Sequence, residues 1–157
     1  MPENRTVTTI DELKALAGQE LGHGEWFEVT QERVNAFAEV TGDHQWIHVD
    51  TARAAASPFG GTIAHGYLTL AIQGLLNQGW QGVRLDLGQR MTINYGLNRV
   101  RFISPVRVGK RIRLRSKLQQ VEEPSPGVYH LMVEQTVEIE GEDRPAMVAE
   151  TIRRVVF

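Results

Sequence analysis

The chain has 157 residues, 41% of them hydrophobic, and a formal net charge of -2. That length supports one domain with a substantial core, and the near-neutral balance excludes a general electrostatic pull towards nucleic acid or an anionic membrane. Without cysteine, thiol redox chemistry, disulfides and thiolate metal sites are excluded as well.

The polar opening MPENRTVTTIDELKAL has no basic start and no apolar run, and no later segment is apolar for long enough to cross a bilayer, so a cytoplasmic protein is expected. Within TIDELKALAG, Thr9 stands three residues before Glu12, the spacing of a capping box. Leu13, Leu16 and Ala17 share one side and Gly18 stops the run, which predicts a short surface helix. EWFEV reads as a strand. TQERVNAFAEVTG then predicts a helix capped by Thr30, with Val34, Phe37, Ala38 and Val40 as its apolar stripe and Gly42 as its end. DTARAAA is one more helical turn, capped by Asp50, and SPFGG is a loop by its turn residues.

TIAHGYLTLAIQGLLNQG carries apolar residues round most of its circumference, which predicts a long central helix buried on nearly every side. From Arg90 the period changes to two. RIRLRSKLQQV alternates, PSPG turns, VYHLMVEQTVEIEG puts Tyr129, Leu131, Val133, Val137 and Ile139 on one face, and AMVAETIRRVVF closes the chain. Helices followed by hairpin strands predict an α+β fold in a single domain over residues 1–157, with one antiparallel sheet wrapped over one apolar helix.

Two stretches carry chemistry. In TGDHQWIHVD, Asp43 and His48 lie five residues apart just beyond a helix, where a carboxylate and an imidazole can share, orient and deprotonate one water. The same residues also serve as a turn cap and a satisfied loop histidine, with Asp50 left to its helix. A zinc site from His44, His48 and Asp50 matches no ligand spacing. In FGGTIAHGYL a glycine-rich loop runs into the start of the buried helix, whose free N–H groups suit developing negative charge, and Gly66 lets a ligand approach the backbone. Tight turns alone also account for glycines. Together the two stretches supply what water addition to a carbonyl-conjugated double bond requires.

GDHQWIHVD followed by GGTIAHGYLTLA resembles the MaoC-like dehydratases, also called R-specific or type 2 enoyl-CoA hydratases. NYGLNRVRFISPVRVGKRIRL resembles the strand pair that follows the central helix in that family. The resemblance implies the hotdog fold. It implies Asp43 and His48 as the catalytic pair, the Gly66 N–H as the oxyanion donor, and Gln45, His65 and Gly61 as residues about the substrate. It further implies an acyl-CoA or acyl carrier protein thioester as substrate, no metal or redox cofactor, and a homodimer. The chain departs from the common pattern in having Gln45-Trp46 where Asn-Pro is usual, and Gly74 where some members have serine. The basic run Arg99, Arg101, Arg107, Lys110, Arg111, Arg113 and Arg115 fits coenzyme A phosphates or a solvated outer strand face. A hotdog thioesterase and a non-catalytic acyl-binding subunit are the competing functions; YLTLAIQGLLNQ has no acid for the former.

Overall fold

A computed structural model of the protein describes residues 2–157. In chain order it contains β1 (Arg5–Val7), α1 (Ile10–Lys14), β2 (Glu20–His23), β3 (Phe27–Glu28), α2 (Gln31–Thr41), α3 (Trp46–Val49) and α4 (Thr51–Ala55). There follow α5 (Gly66–Ala71), α6 (Gln73–Leu76), β4 (Gln81–Leu85), β5 (Met91–Phe102), β6 (Arg111–Ser125), β7 (Val128–Ile139) and β8 (Met147–Val156).

The local signals act as the sequence implies. Glu12 N–H donates to Thr9 Oγ1 at 3.2 Å while Thr9 N–H donates to Glu12 Oε2 at 3.3 Å, so both halves of the capping box hold α1. Thr30 accepts from Arg33 N–H at the start of α2, and Gly42, at φ 75°, ends it in the left-handed region open to glycine. The α2 stripe is narrower than expected: Val34 and Ala38 are buried, whereas Val40 is 81% exposed.

The strands lie in the order β1-β4-β2-β6-β7-β8-β5, with β3 also paired to β6. Only β1 and β4 run parallel; the other pairs are antiparallel. Alternation along β6, β7 and β8 turns Leu114, Val137 and Ala149 inward, where Leu68 of α5 and Leu76 of α6 meet them. A second cluster joins Leu13 of α1 and Leu16 just beyond it to Leu118, Leu131 and Val133 of the same inner face. Each fully buried leucine of this kind contributes about 1.5–3 kcal/mol. An α+β architecture with helices on one face of a largely antiparallel sheet is the result.

The long central helix is the main correction. Thr62–Ala64 is extended instead, with Ala64 N–H donating to Val106 O and Val108 N–H to Thr62 O. Helix begins only at Gly66 and is interrupted at Ile72, where ψ is 15°. A β-branched residue two positions before Gly74 is weak helix-forming sequence. Nor is the segment buried all round, since Tyr67 is 71% exposed. The strand expected at EWFEV shortens to Phe27–Glu28, and β6 runs on through Pro124, so the hairpin turns at Pro126-Gly127. Among the described residues no helix is long and apolar enough to cross a membrane.

Candidate active site

Where α2 stops at Gly42, the chain folds back through a side-chain-supported turn. Gln45 N–H donates to Asp43 Oδ1 at 3.3 Å, an Asx turn that starts the single turn α3. Asp43 stays exposed while α3 carries His48 inward to 6% exposure. His48 Nδ1 lies 2.7 Å from Ile63 O. A carbonyl only accepts, so Nδ1 bears the proton and Nε2 keeps its lone pair. Burial pushes the His48 pKa down from 6.5, outweighing the bond to Ile63, and the nearby His65 adds to the depression while Asp43 opposes it. A neutral imidazole with a free Nε2 is a base.

His65 braces this pair. Its ring stacks on His48 with centroids 3.8 Å apart and planes 23° apart, and its Nε2–H donates to Asp43 O at 2.9 Å. Phe37 of α2 packs against the same ring, its centroid 4.9 Å away and its plane tilted by 55°. One ligating atom each of Asp43, His48 and His65 falls within 4.8 Å of the others. Gln31, at the start of α2, clamps the loops together: its Nε2 donates to His48 O at 2.8 Å, and its Oε1 accepts from Thr62 Oγ1 at 2.5 Å.

His48 and Gly66 line one cavity of about 290 Å³, together with Thr69, Phe102 and Ile103. The main chain of Gly66 and Tyr67 opens α5, where N–H groups have no intrahelical acceptor. A Cβ on Gly66 would meet the Phe102 ring at 2.8 Å, so glycine is required here by packing.

Other expected residues fall elsewhere. Gln45 contributes its main chain to the Asx turn, and Gly61 faces the Arg107 guanidinium; neither lines the cavity. Asp50 caps α4 through Arg53 N–H, and exposed His44 pairs with Glu39 at 3.6 Å. Neither joins His48 in the one cluster of potential metal ligands among the described residues, so the zinc alternative from His44, His48 and Asp50 does not assemble. The basic run divides. Lys110, Arg111, Arg113 and Arg115 pair with Glu142, Glu140, Glu138 and Glu20, whereas Arg99, Arg101 and Arg107 have no carboxylate at ion-pair distance among the described residues. Gln31, Thr62 and Thr69 went unmarked in the sequence. Their contacts join residues 17 and 31 positions apart, or depend on where α5 begins, and no local spacing signals either.

Comparison with known proteins follows the same outline. Residues 12–138 match the MaoC like domain. The 3-hydroxyacyl-thioester dehydratase Z of Mycobacterium tuberculosis is 51% identical over 152 residues, covering 97% of this chain and 99% of that protein. The structure of a monoamine oxidase regulatory protein from Archaeoglobus fulgius superposes with a TM-score of 0.76 at 21% identity, over 98% of this chain and 97% of the other. An (R)-hydratase from A. caviae, involved in PHA biosynthesis, gives a TM-score of 0.67 at 25% identity, over 87% and 94%.

Proposed function

The chain belongs to the MaoC-like dehydratase family, and from that premise we propose that it hydrates trans-2-enoyl thioesters to (R)-3-hydroxyacyl thioesters and catalyses the reverse dehydration. The carrying observation is His48: buried, held through Nδ1 by Ile63 O, its pKa lowered by burial, with one ring nitrogen within 4.8 Å of an Asp43 carboxylate oxygen, and lining with Gly66 a cavity that Asp43 itself does not line.

His48 Nε2 takes one proton from a water that Asp43 orients. The water oxygen bonds to C3, and the C2–C3 π pair moves towards the thioester, whose oxygen gains enolate charge opposite the Gly66 N–H. A proton then returns to C2 with the help of Asp43. One water is consumed and no group leaves. No residue in this sequence of steps needs a metal or redox cofactor. His65 holds the Asp43 main chain, and Gln45 holds its carboxylate through the Asx turn. Gly61 leaves the loop beside Arg107 uncrowded, and Arg99, Arg101 and Arg107, without a carboxylate partner among the described residues, offer guanidinium groups to phosphates of a coenzyme A carrier.

A homodimer and a cytoplasmic location belong to the same reading. The dimer is supported by β5, which pairs on one side only and exposes Met91, Ile93, Tyr95 and Leu97. The test of function is loss of the enoyl absorbance of crotonyl-CoA, followed by chiral analysis of the product. Formation of (R)-3-hydroxybutyryl-CoA supports the proposal. Release of free thiol without hydration would make the protein a thioesterase, and binding without either reaction would make it an acyl-binding subunit.

A further inference from the structure

Beyond the catalytic cavity, two larger ones follow along the helices. The first, about 580 Å³, lies between Leu70, Gly74 and Asn77 on one side and Thr92, Asn94 and Thr151 on the other. The second, about 510 Å³, lies between Trp80 and the apolar inner face formed by Leu118, Leu131 and Val133. Leu70 is one helical turn beyond Gly66, and both cavities share Asn77, Thr92 and Arg153. The three spaces therefore succeed one another along α5 and α6.

Arg153 is the unexplained group. It stands on β8 opposite Asn94 of β5 and buried Leu131 of β7, which puts it on the inner face of the sheet. Among the described residues its guanidinium has no hydrogen bond and no ion pair, in contrast to Arg111, Arg113 and Arg115 of β6, each held by a glutamate. No Asp or Glu lines either cavity, and the second charged group there, Arg84, is another cation. Burial with nothing to oppose it lowers the Arg153 pKa. Solvent still reaches the guanidinium nitrogens, so an uncompensated cation with five donors faces a space large enough for a ligand. A carboxylate satisfies a guanidinium fork with two parallel bonds.

We propose that Arg153 receives a carboxylate at the far end of the acyl chain, so that the preferred substrates are trans-2-enoyl thioesters whose chain ends in an acid. The proposal rests on the hydratase reading above. Reach sets the chain length. Phe102, whose ring abuts Gly66, pairs with Met147, and from Met147 to Arg153 the strand advances about 20 Å at roughly 3.3 Å per residue. Short acyl chains stop well before the guanidinium.

The experiment compares two trans-2-enoyl-CoA substrates of equal medium-to-long length, one ending in a methyl group and one in a carboxylate, with the parent protein, Arg153→Met and Arg153→Lys. Binding of the matching saturated acyl-CoAs is followed by calorimetry, and crotonyl-CoA with the parent protein reports the underlying activity. The parent is expected to favour the acid-ended substrate in kcat/KM by tenfold or more. Arg153→Met is expected to reverse that ratio and Arg153→Lys to keep part of it. Equal kcat/KM for both substrates, with crotonyl-CoA turned over, overturns the role of Arg153 and leaves the hydratase standing; an acid supplied by a second subunit gives this result. Tight binding of the acid-ended chain without hydration of any enoyl-CoA overturns the hydratase and retains the Arg153 site.

Discussion

Replacing Gln31 by alanine removes the clamp between the two loops that carry the candidate catalytic groups. Two contacts vanish, the 2.8 Å bond to His48 O and the 2.5 Å bond from Thr62, while the 2.9 Å contact to Asn35 is exposed and counts for little. At about 1 kcal/mol for each of the two, the cost is about 2 kcal/mol. For a chain of this size that lowers Tm by about 4–8 °C. His48 keeps its ring bond to Ile63 O and its N–H bond to Gln45 O but loses the bond to its carbonyl, and small misplacements of a reacting group cost rate steeply. A fall in kcat of about tenfold or more is expected, with KM nearly constant because Gln31 does not line the cavity. Calorimetric melting and crotonyl-CoA hydration measure the two effects. A Gln31→Ala, Thr62→Val cycle adds a control, since one shared hydrogen bond makes the two losses less than additive. A variant that melts and turns over like its parent, or fully additive losses, would refute the clamp.

Further outcomes follow from the same geometry. The acid limb of the kcat/KM profile should have its midpoint below pH 6.5, because burial lowers the His48 pKa and the base must be neutral; a midpoint above 6.5 contradicts this. The same shift affects stability. The unfolded chain takes up the His48 proton first, so the folded state loses stability as pH falls below 6.5 towards the depressed folded value, as acid titration of the melting temperature would record. Gly66→Ala drives a methyl group into the Phe102 ring and should cost about 1–3 kcal/mol, part of it recovered by adding Phe102→Ala. Gln135 is fully buried on β7 with both amide atoms unpaired, so Gln135→Met should raise stability by about 1 kcal/mol or more in denaturant titration; a loss would show the amide to be bonded in solution.

The elements legible in the sequence are those whose determinants are local. The Thr9–Glu12 box, the Thr30 cap and Gly42 stop fix α1 and α2 within a few residues, and strict alternation fixes β6 to β8. The short strands β2 and β4 were not legible. They meet at Gly22 and Gly82, with φ of 135° and 125° and no side chains to alternate, because each backbone lies against the other. The break at Ile72 was hidden because apolar residues continue through it; the helical bond from Leu76 N–H to Ile72 O continues too. At the site, the spacing of Asp43 and His48 and the glycine that opens α5 point to the candidate chemistry. The contacts that orient it, Ile63 O, His65 and Gln31, come from distant segments that only the fold brings together.

The central claim is that Asp43 and His48 handle one water between them. Its most direct measurement is turnover of crotonyl-CoA by Asp43→Asn and His48→Gln, with affinity for a non-reacting saturated acyl-CoA measured in parallel. Removal of a proton-transfer group predicts a loss of about 10²–10⁴ in kcat for each variant, with affinity essentially retained. Parental turnover in either variant, or a loss wholly accounted for by weaker binding, would contradict the account.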